Sequence, residues 1–331
     1  MYERACLSEP FLPAGRPVLM MNRRGRTLDN KSFKSNSREK NSEALWSWLF
    51  MTPTTLFLFI TALIPLLYSI YISFFKYKMN LPNAVPSFIG LQNYARIFTD
   101  ATLRISTRNT FFFAFVSVTL ELVLGLIVAM AFCSDRRWAR IGTSILLIPM
   151  IMAPVAIGTL WRMMLDGNTG VINYLMSFLG IDSINWLSNP KYAMPAVLFV
   201  NVWQLVPWVV IVAAAGLKAL PGDCLEAALV DGANNRQIFW HIVLPMISPL
   251  LVIIYMLRFV DAFKVFDTVY TMTNGGPGTA TEMLPNYIYK QGMKYFDVGY
   301  TAALAISFVL VMSLFTAIFL KIRGKVEDRV Q

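Results

Sequence analysis

Six runs of apolar residues, each long enough to cross a bilayer as a helix, dominate this chain. They extend approximately over Trp46–Phe75, Thr110–Cys133, Ile141–Met164, Met194–Leu217, Ile242–Phe266 and Gly299–Leu320. About 20 apolar residues in a helix cover the hydrocarbon layer, and only helices or closed barrels satisfy their backbone there. The length of 331 residues would suit two soluble domains, but with 56% hydrophobic and 15% charged residues, gathered into runs, a soluble core is excluded. Pro53 and Pro65 fall in the first run, which is long enough to tilt or to extend beyond the bilayer. The expected fold class is an all-α membrane protein with six transmembrane helices.

The formal net charge of +10 would suggest nucleic acid in a soluble protein, but no basic patch interleaved with aromatics is present. The basic residues lie at the ends and in short loops. An even number of crossings puts both termini on one side, together with the Arg136-Arg137-Trp138-Ala139-Arg140 loop and Lys321-Ile322-Arg323-Gly324-Lys325. The positive-inside rule makes that side the cytoplasm. The loop from Lys76 to Arg108 is also basic and falls outside, but long loops count less. Residues 1–44 read as a basic, disordered cytoplasmic arm without a cleavable signal, part of which Met20 or Met21 would bypass as alternative starts. Residues 323–331 form a short cytoplasmic tail. Cys6, Cys133 and Cys224 are odd in number, far apart and without metal-ligand spacing, as for unpaired thiols.

The loops carry structure of their own. Phe88–Asp100 and Val171–Leu179 have the spacing of short surface helices, and Asn274-Gly275-Gly276-Pro277-Gly278 marks a sharp turn. The cytoplasmic connection between the fourth and fifth runs reads either as a solvated loop or as two short helices. In the second case one covers Glu226–Val230, the other runs from Asn235 and ends near Pro245, and the chain bends between them at Gly232.

Glu226-Ala227-Ala228, then Gly232, then Ile242-Val243-Leu244-Pro245 resembles the EAA signature of ABC-importer permeases in both residue types and spacing. Phe88-Ile89-Gly90-Leu91-Gln92-Asn93-Tyr94 resembles that family's first external loop, Asn109-Thr110 the opening of its second crossing, and Gly170–Leu175 with Trp186-Leu187-Ser188 its second external loop, while the stretch Phe266–Glu282 resembles the carbohydrate-uptake, maltose-permease-like branch. The resemblance covers about residues 45–322. It implies a type I importer permease fold with cytoplasmic termini and a coupling loop at 218–245. In that loop Glu226, Ala227, Ala228, Gly232, Ile242, Leu244 and Pro245 would engage an ATPase. The implied partners are a second homologous permease, two copies of a cytoplasmic ABC ATPase, an extracytoplasmic solute-binding protein and the lipid bilayer, with no nucleic acid. The implied location is a bacterial-type inner membrane. The chain has no phosphate-binding loop, since Gly324-Lys325 is followed by Val326. ATP and magnesium would therefore sit on the partner ATPase, and no cofactor is expected on this chain.

Four ionisable residues fall in or near the apolar runs: Glu121, Arg258, Asp261 and Lys264. Such residues face a bundle interior or a watery cavity. Glu121 suits a bond between helices, and Lys264 can snorkel to the interface. Arg258, Asp261 and Ala262 share one helix face, and Asn201, Gln204, Leu205 and Trp208 form a stripe on another helix. The pattern fits either helix–helix glue or the wall of a solute path. The resemblance to the maltose permease implies the second, since its sugar-contacting positions fall on these seven residues. Arg258 could pair with Asp261, bind hydroxyls or meet a phosphate, so disaccharides, polyols, monosaccharides and glycerol-3-phosphate stay open. His241, the sole histidine, suits packing or capping. Two other classes compete with an ATP-driven permease: a proton-coupled secondary transporter relaying through Glu121 or Asp261, and a membrane-embedded enzyme. The coupling loop has no purpose in the first. No triad, metal set or carboxylate pair supports the second.

Overall fold

A computed structural model describes residues 37–82, 85–132, 142 and 144–330. The basic arm up to residue 36, Cys6, Cys133 and the Arg136–Arg140 loop lie outside the described residues. The described residues up to Tyr71 and those from Ile72 onward belong to separate compact units.

The first unit is one long apolar helix. Helix α1 (Ser37–Leu58) begins eight residues inside the stretch expected to be disordered. It passes through a π-helical turn, Phe59–Leu63, into α2 (Ile64–Ile72). Pro65 explains the π turn. Proline cannot donate to the carbonyl four residues back and its ring clashes with it; a wider turn just before it removes the conflict.

In the second unit β1 (Phe75–Lys76) pairs antiparallel with β2 (Ser87–Phe88), a small ladder that the all-α expectation omits. The surface helix expected from Phe88 starts later, as α3 (Gln92–Thr99), because Phe88 is taken into that ladder. Helix α4 (Ala101–Phe132) starts nine residues before the expected Thr110. Asp100 caps it, its carboxylate accepting from the Leu103 N–H at 3.0 Å. The first turns of α4 carry Arg104, Thr107, Arg108 and Asn109, whose polarity hid them from a search for apolar runs. Asn109 therefore does not open this helix; it donates to the Thr279 and Glu282 carbonyls at 2.9 and 3.1 Å, tying α4 to the loop after the glycine-rich turn.

The third apolar run is a broken span. Helices α5 (Ile148–Ile151) and α6 (Pro154–Met164) belong to two segments inclined at 98°. Pro154 disfavours helical backbone at Ala153, and both Met152 and Ala153 are extended. The surface helix expected at Val171–Leu179 is present as α7 (Val171–Ser177). Asn173 pins the loop around it, accepting from Trp186 Nε1 at 2.9 Å and donating to the Ile184 carbonyl at 2.9 Å.

Helix α8 (Pro190–Lys218) is capped by Asn189 and is the most buried of the long apolar helices. Gly125 lets α4 approach it closely: a Cβ at Gly125 would lie 2.6 Å from Val209 Cγ1. Helices α9 (Gly222–Val230) and α10 (Asn235–Ile238) follow. A second π turn, Phe239–Val243, leads into α11 (Leu244–Phe263). The expectation that the second short helix stops near Pro245 is therefore corrected: Asn235–Phe263 is one span. The reason is the device seen before Pro65, a π turn placed ahead of a leucine- or isoleucine-proline pair, here with the Leu244 N–H bonding to the Phe239 carbonyl.

Short helices α12 (Asp267–Met272) and α13 (Leu284–Tyr289) flank the glycine-rich turn, where Asn274, Gly275 and Gly278 have positive φ. The last helix, α14 (Val298–Val330), runs ten residues past the expected Leu320. Aromatic rings join α4, α11 and α14: Phe111, Phe259, Phe263 and Phe315 sit with centroids 4.7–5.9 Å apart. Among the described residues, five helices are long and apolar enough to cross a membrane, or six if the bent pair counts as one span.

Candidate functional site

Two places bring the sequence-derived residues together. The first is the elbow between α8 and α11. Helix α9 closes with a Schellman motif: the Ala233 N–H bonds to the Ala228 carbonyl at 3.0 Å and the Gly232 N–H to the Leu229 carbonyl at 3.1 Å. Gly232 supplies the left-handed residue that this motif needs, with φ +82°. Helix α10 opens with a capping box, Asn234 accepting from the Gln237 N–H and Gln237 accepting from the Asn234 N–H. Ala228, Ile238 and Val243 form a small buried core between the two arms, with Leu225, Leu229 and Ile242 packed on it. Glu226 and Ala227 are exposed, Leu244 is half-buried and Pro245 is exposed. The His241 Nδ1 lies 3.1 Å from the Gln237 carbonyl, a local contact within its own helix.

The second place is a cavity of about 150 Å³ bounded by the middle of α8, the last turns of α11 and the residues leading to α12. Asn201, Gln204, Leu205, Arg258, Asp261 and Ala262 all line it. Trp208 does not; its ring sits one turn further along α8, 5.9 Å from the Arg258 guanidinium carbon. Pro154, at the break between α5 and α6, also lines the cavity, and Gln204 Nε2 reaches the Met152 carbonyl there at 3.5 Å. A broken span is tolerated where its loose backbone groups meet polar side chains or a cavity.

The Arg258–Asp261 pairing that the sequence suggested is present, but a second, shorter pair joins it. Arg258 bonds first to Glu121 on α4, its Nε donating to Oε2 at 2.8 Å. Asn201 donates to the other Glu121 oxygen at 2.9 Å. The Arg258–Asp261 contact is longer, 3.4 Å from Nη1. Asp261 also meets Lys264 at 3.5 Å, and Lys264 lines the cavity. A chain of four alternating charges thus runs from α4 through α11 to the cavity mouth. Glu121 is fully buried and Arg258 is nearly so, so each is the condition for burying the other. Losing one partner of such a pair costs roughly 3–5 kcal/mol. Arg258 Nη2 has no hydrogen-bond partner among the described residues. The reading of Glu121 as a bond between helices agrees with its contacts to Asn201 and Arg258, but its partners cannot be named from sequence because they are far from it along the chain; the Lys264 contact is missed because Lys264 reads as a snorkelling end residue. One signal is available: an isolated acid and an isolated base, each within an apolar run, need partners.

The opposite end of the second unit from the elbow has its own polar framework. Asp100 accepts from Tyr287 and Tyr300 hydroxyls, at 2.5 and 2.8 Å. Burial pushes its carboxyl up, but these bonds and the Leu103 N–H together hold it below the usual carboxylate range. Among the described residues no group of three or more His, Cys, Asp or Glu could hold a metal ion.

Comparison with known proteins agrees with this architecture. Residues 121–329 match the family model described as binding-protein-dependent transport system inner membrane component. The chain is 35% identical over 291 residues to the trehalose/maltose transport system permease protein MalF of Thermococcus litoralis, covering 86% of this chain and 96% of that one. It is 31% identical to the sulfoquinovosyl glycerol transport system permease protein SmoG of Agrobacterium fabrum, covering 85% and 91%. Among solved structures, a chain of a bacterial ABC transporter involved in the import of the acidic polysaccharide alginate superposes with a TM-score of 0.75 at 20% identity, covering 87% of this chain and 98% of that chain. The likeness to the alginate transporter is one of fold. The matched segment, which holds the elbow and every residue lining the cavity, and these relatives, aligned along most of their length, place the chain in the family of ABC-transporter permeases, the inner membrane components of binding-protein-dependent transport systems.

Proposed function

We propose that this chain is the permease subunit of an ATP-driven ABC importer that moves a sugar or sugar-like solute into the cytoplasm by alternating access. One observation carries the reading: the span Asn235–Phe263 starts in the elbow and ends on the cavity wall. Ile238 in the elbow core and Asp261 at the cavity are about 35 Å apart along that rod, at 1.5 Å per residue. A rigid helix with a polar cavity at one end and a docking elbow at the other can convert a displacement at the elbow into a change of cavity shape.

In this reading residues 45–322 make six crossings, the bent pair counting as one, and both termini are cytoplasmic, as the basic ends favour. The elbow within 218–245 docks on an ATPase through Glu226, Ala227, Ala228, Gly232, Ile242, Leu244 and Pro245. Two ATPase copies bind ATP and magnesium, and this chain binds neither. A second homologous permease completes the path, and a solute-binding protein delivers the cargo. The named cargo of relatives, trehalose or maltose and sulfoquinovosyl glycerol, supports a carbohydrate. An alginate transporter has been solved in complex with an alginate-bound periplasmic protein, which supports the delivery step. The setting is a bacterial-type inner membrane.

Asn201, Gln204, Leu205, Arg258, Asp261 and Ala262 bound the solute path, and Trp208 backs the Arg258 guanidinium. Amides and the exposed Asp261 carboxylate offer bonds to hydroxyls. A proton relay finds less support, since both Glu121 oxygens are engaged and Asp261 meets two cations. Asp261→Ala and Trp208→Ala in the reconstituted transporter test the assignment. Each is expected to lower uptake and substrate-stimulated ATPase; wild-type values in both variants would remove these residues from the path.

A further inference from the structure

The charges around the cavity point to the class of solute it admits. Its wall holds Arg258, Lys264, Asp261 and Asp267, two cations and two anions. Directly behind the guanidinium, fully buried, is Glu121. The ensemble therefore carries one net negative charge. Arg258 is not a free anion site, because one carboxylate holds its Nε at 2.8 Å and another its Nη1 at 3.4 Å. What it has left is Nη2, buried and without a hydrogen-bond partner among the described residues. A guanidinium in this state has a hydrogen-bond donor to give and little net field for an anion.

We infer that Glu121 is a specificity-determining residue: by neutralising Arg258 it makes the cavity accept uncharged polyhydroxylated solutes and reject phosphorylated, carboxylated or sulfonated ones. Of the three roles open to Arg258 from sequence, pairing and hydroxyl binding hold together, and phosphate binding falls away. The inference rests on the cavity being the solute path. Glu121 acts through Arg258 and touches no solute itself.

The test reads the cavity's field without knowing the cargo. In the full complex, with Cys6, Cys133 and Cys224 replaced by serine, Leu205→Cys puts a thiol on the cavity wall. Its modification rates by a neutral and an anionic methanethiosulfonate reagent are each normalised to their rates with a free thiol in solution. The neutral reagent is expected to react and the anionic one to lag. Glu121→Gln keeps the shape and removes the charge, and should raise the anionic-to-neutral ratio at least about threefold, the scale of one unit charge across a partly hydrated cavity. Glu121→Asp should restore the parent ratio. Asp261→Asn, at an exposed side chain, should shift the ratio in the same direction and keeps the test available if Glu121→Gln does not assemble. A parent in which the anionic reagent keeps pace, with a ratio unmoved by either neutralising change, overturns the inference. A thiol that neither reagent reaches, with ATP or without, overturns instead the reading of the cavity as the path.

Discussion

Gly232 is where a single substitution should separate folding of the chain from its coupling. With φ at +82° and no atom within 4 Å of the place a Cβ would take, Gly232→Ala meets no steric neighbour. Its cost is that of a left-handed backbone, about 1–2 kcal/mol. Gly232→Pro is different in kind. Proline requires φ near about −65°, so the left-handed turn cannot form. The 3.1 Å bond from the Gly232 N–H to the Leu229 carbonyl is lost, roughly 0.5–1.5 kcal/mol. Asp231, at φ −72° and ψ −1°, holds a conformation that a following proline disfavours. With the bend open, Ile238 and Val243 lose their cover, at roughly 1.5–3 kcal/mol each. The elbow cannot stay closed against that sum, whereas the span Asn235–Phe263 beyond the elbow and the other helices of its unit keep their packing through other clusters. Hydrogen exchange across residues 218–245 and ATP-driven uptake in proteoliposomes give the two readouts. The alanine variant should keep most uptake and near-parental protection. The proline variant should insert normally, exchange fast in the elbow and lose uptake. Equal damage from both, or full uptake by the proline variant, would refute the reasoning.

Other expectations follow from individual contacts. Gly125→Ala should lower the melting temperature in detergent by forcing α4 off Val209, at roughly 1–3 kcal/mol, and Val209→Ala should recover part of the loss in the double variant. Asn173→Ala should raise hydrogen exchange over residues 166–188 without changing the spans, since its bonds to Trp186 and Ile184 fix that loop. Asp100 contributes stability present above its unfolded value and lost as pH falls through its depressed folded value. Asp100→Asn should thus destabilise at neutral pH, and the gap from the parent should close below about pH 4. A gap that persists unchanged at lower pH would contradict that assignment.

The spans are legible in the sequence because a bilayer demands long apolar helices, and a run such as Met194–Leu217 needs only its cap, Asn189, to become Pro190–Lys218. What misleads is local chemistry resolved by distant partners. The polar first turns of α4 are helical because Asp100 caps them and the loop after Gly278 meets Asn109. The break at Ala153 is foreshadowed by Pro154, yet a proline in a membrane run does not say whether the helix kinks, widens or breaks. Pro65 and Pro245 follow π turns within continuous spans, while Pro154 starts a new axis at 98°. At the cavity, helical spacing suffices to group Asn201, Gln204 and Leu205, and again Arg258, Asp261 and Ala262. It cannot reveal that Arg258 turns to Glu121, because the registry between α4 and α11 is set by packing, not by either sequence alone.

The proposal that an external ATPase drives this chain is tested most directly by one measurement. That measurement is solute uptake into proteoliposomes carrying the whole complex and its binding protein. It is made with ATP inside, with ATP replaced by a non-hydrolysable analogue, and with ATP plus a protonophore. Accumulation is expected with hydrolysable ATP, none with the analogue, and no loss when the proton gradient is collapsed. Accumulation that ignores ATP and vanishes with the protonophore would contradict the mechanism.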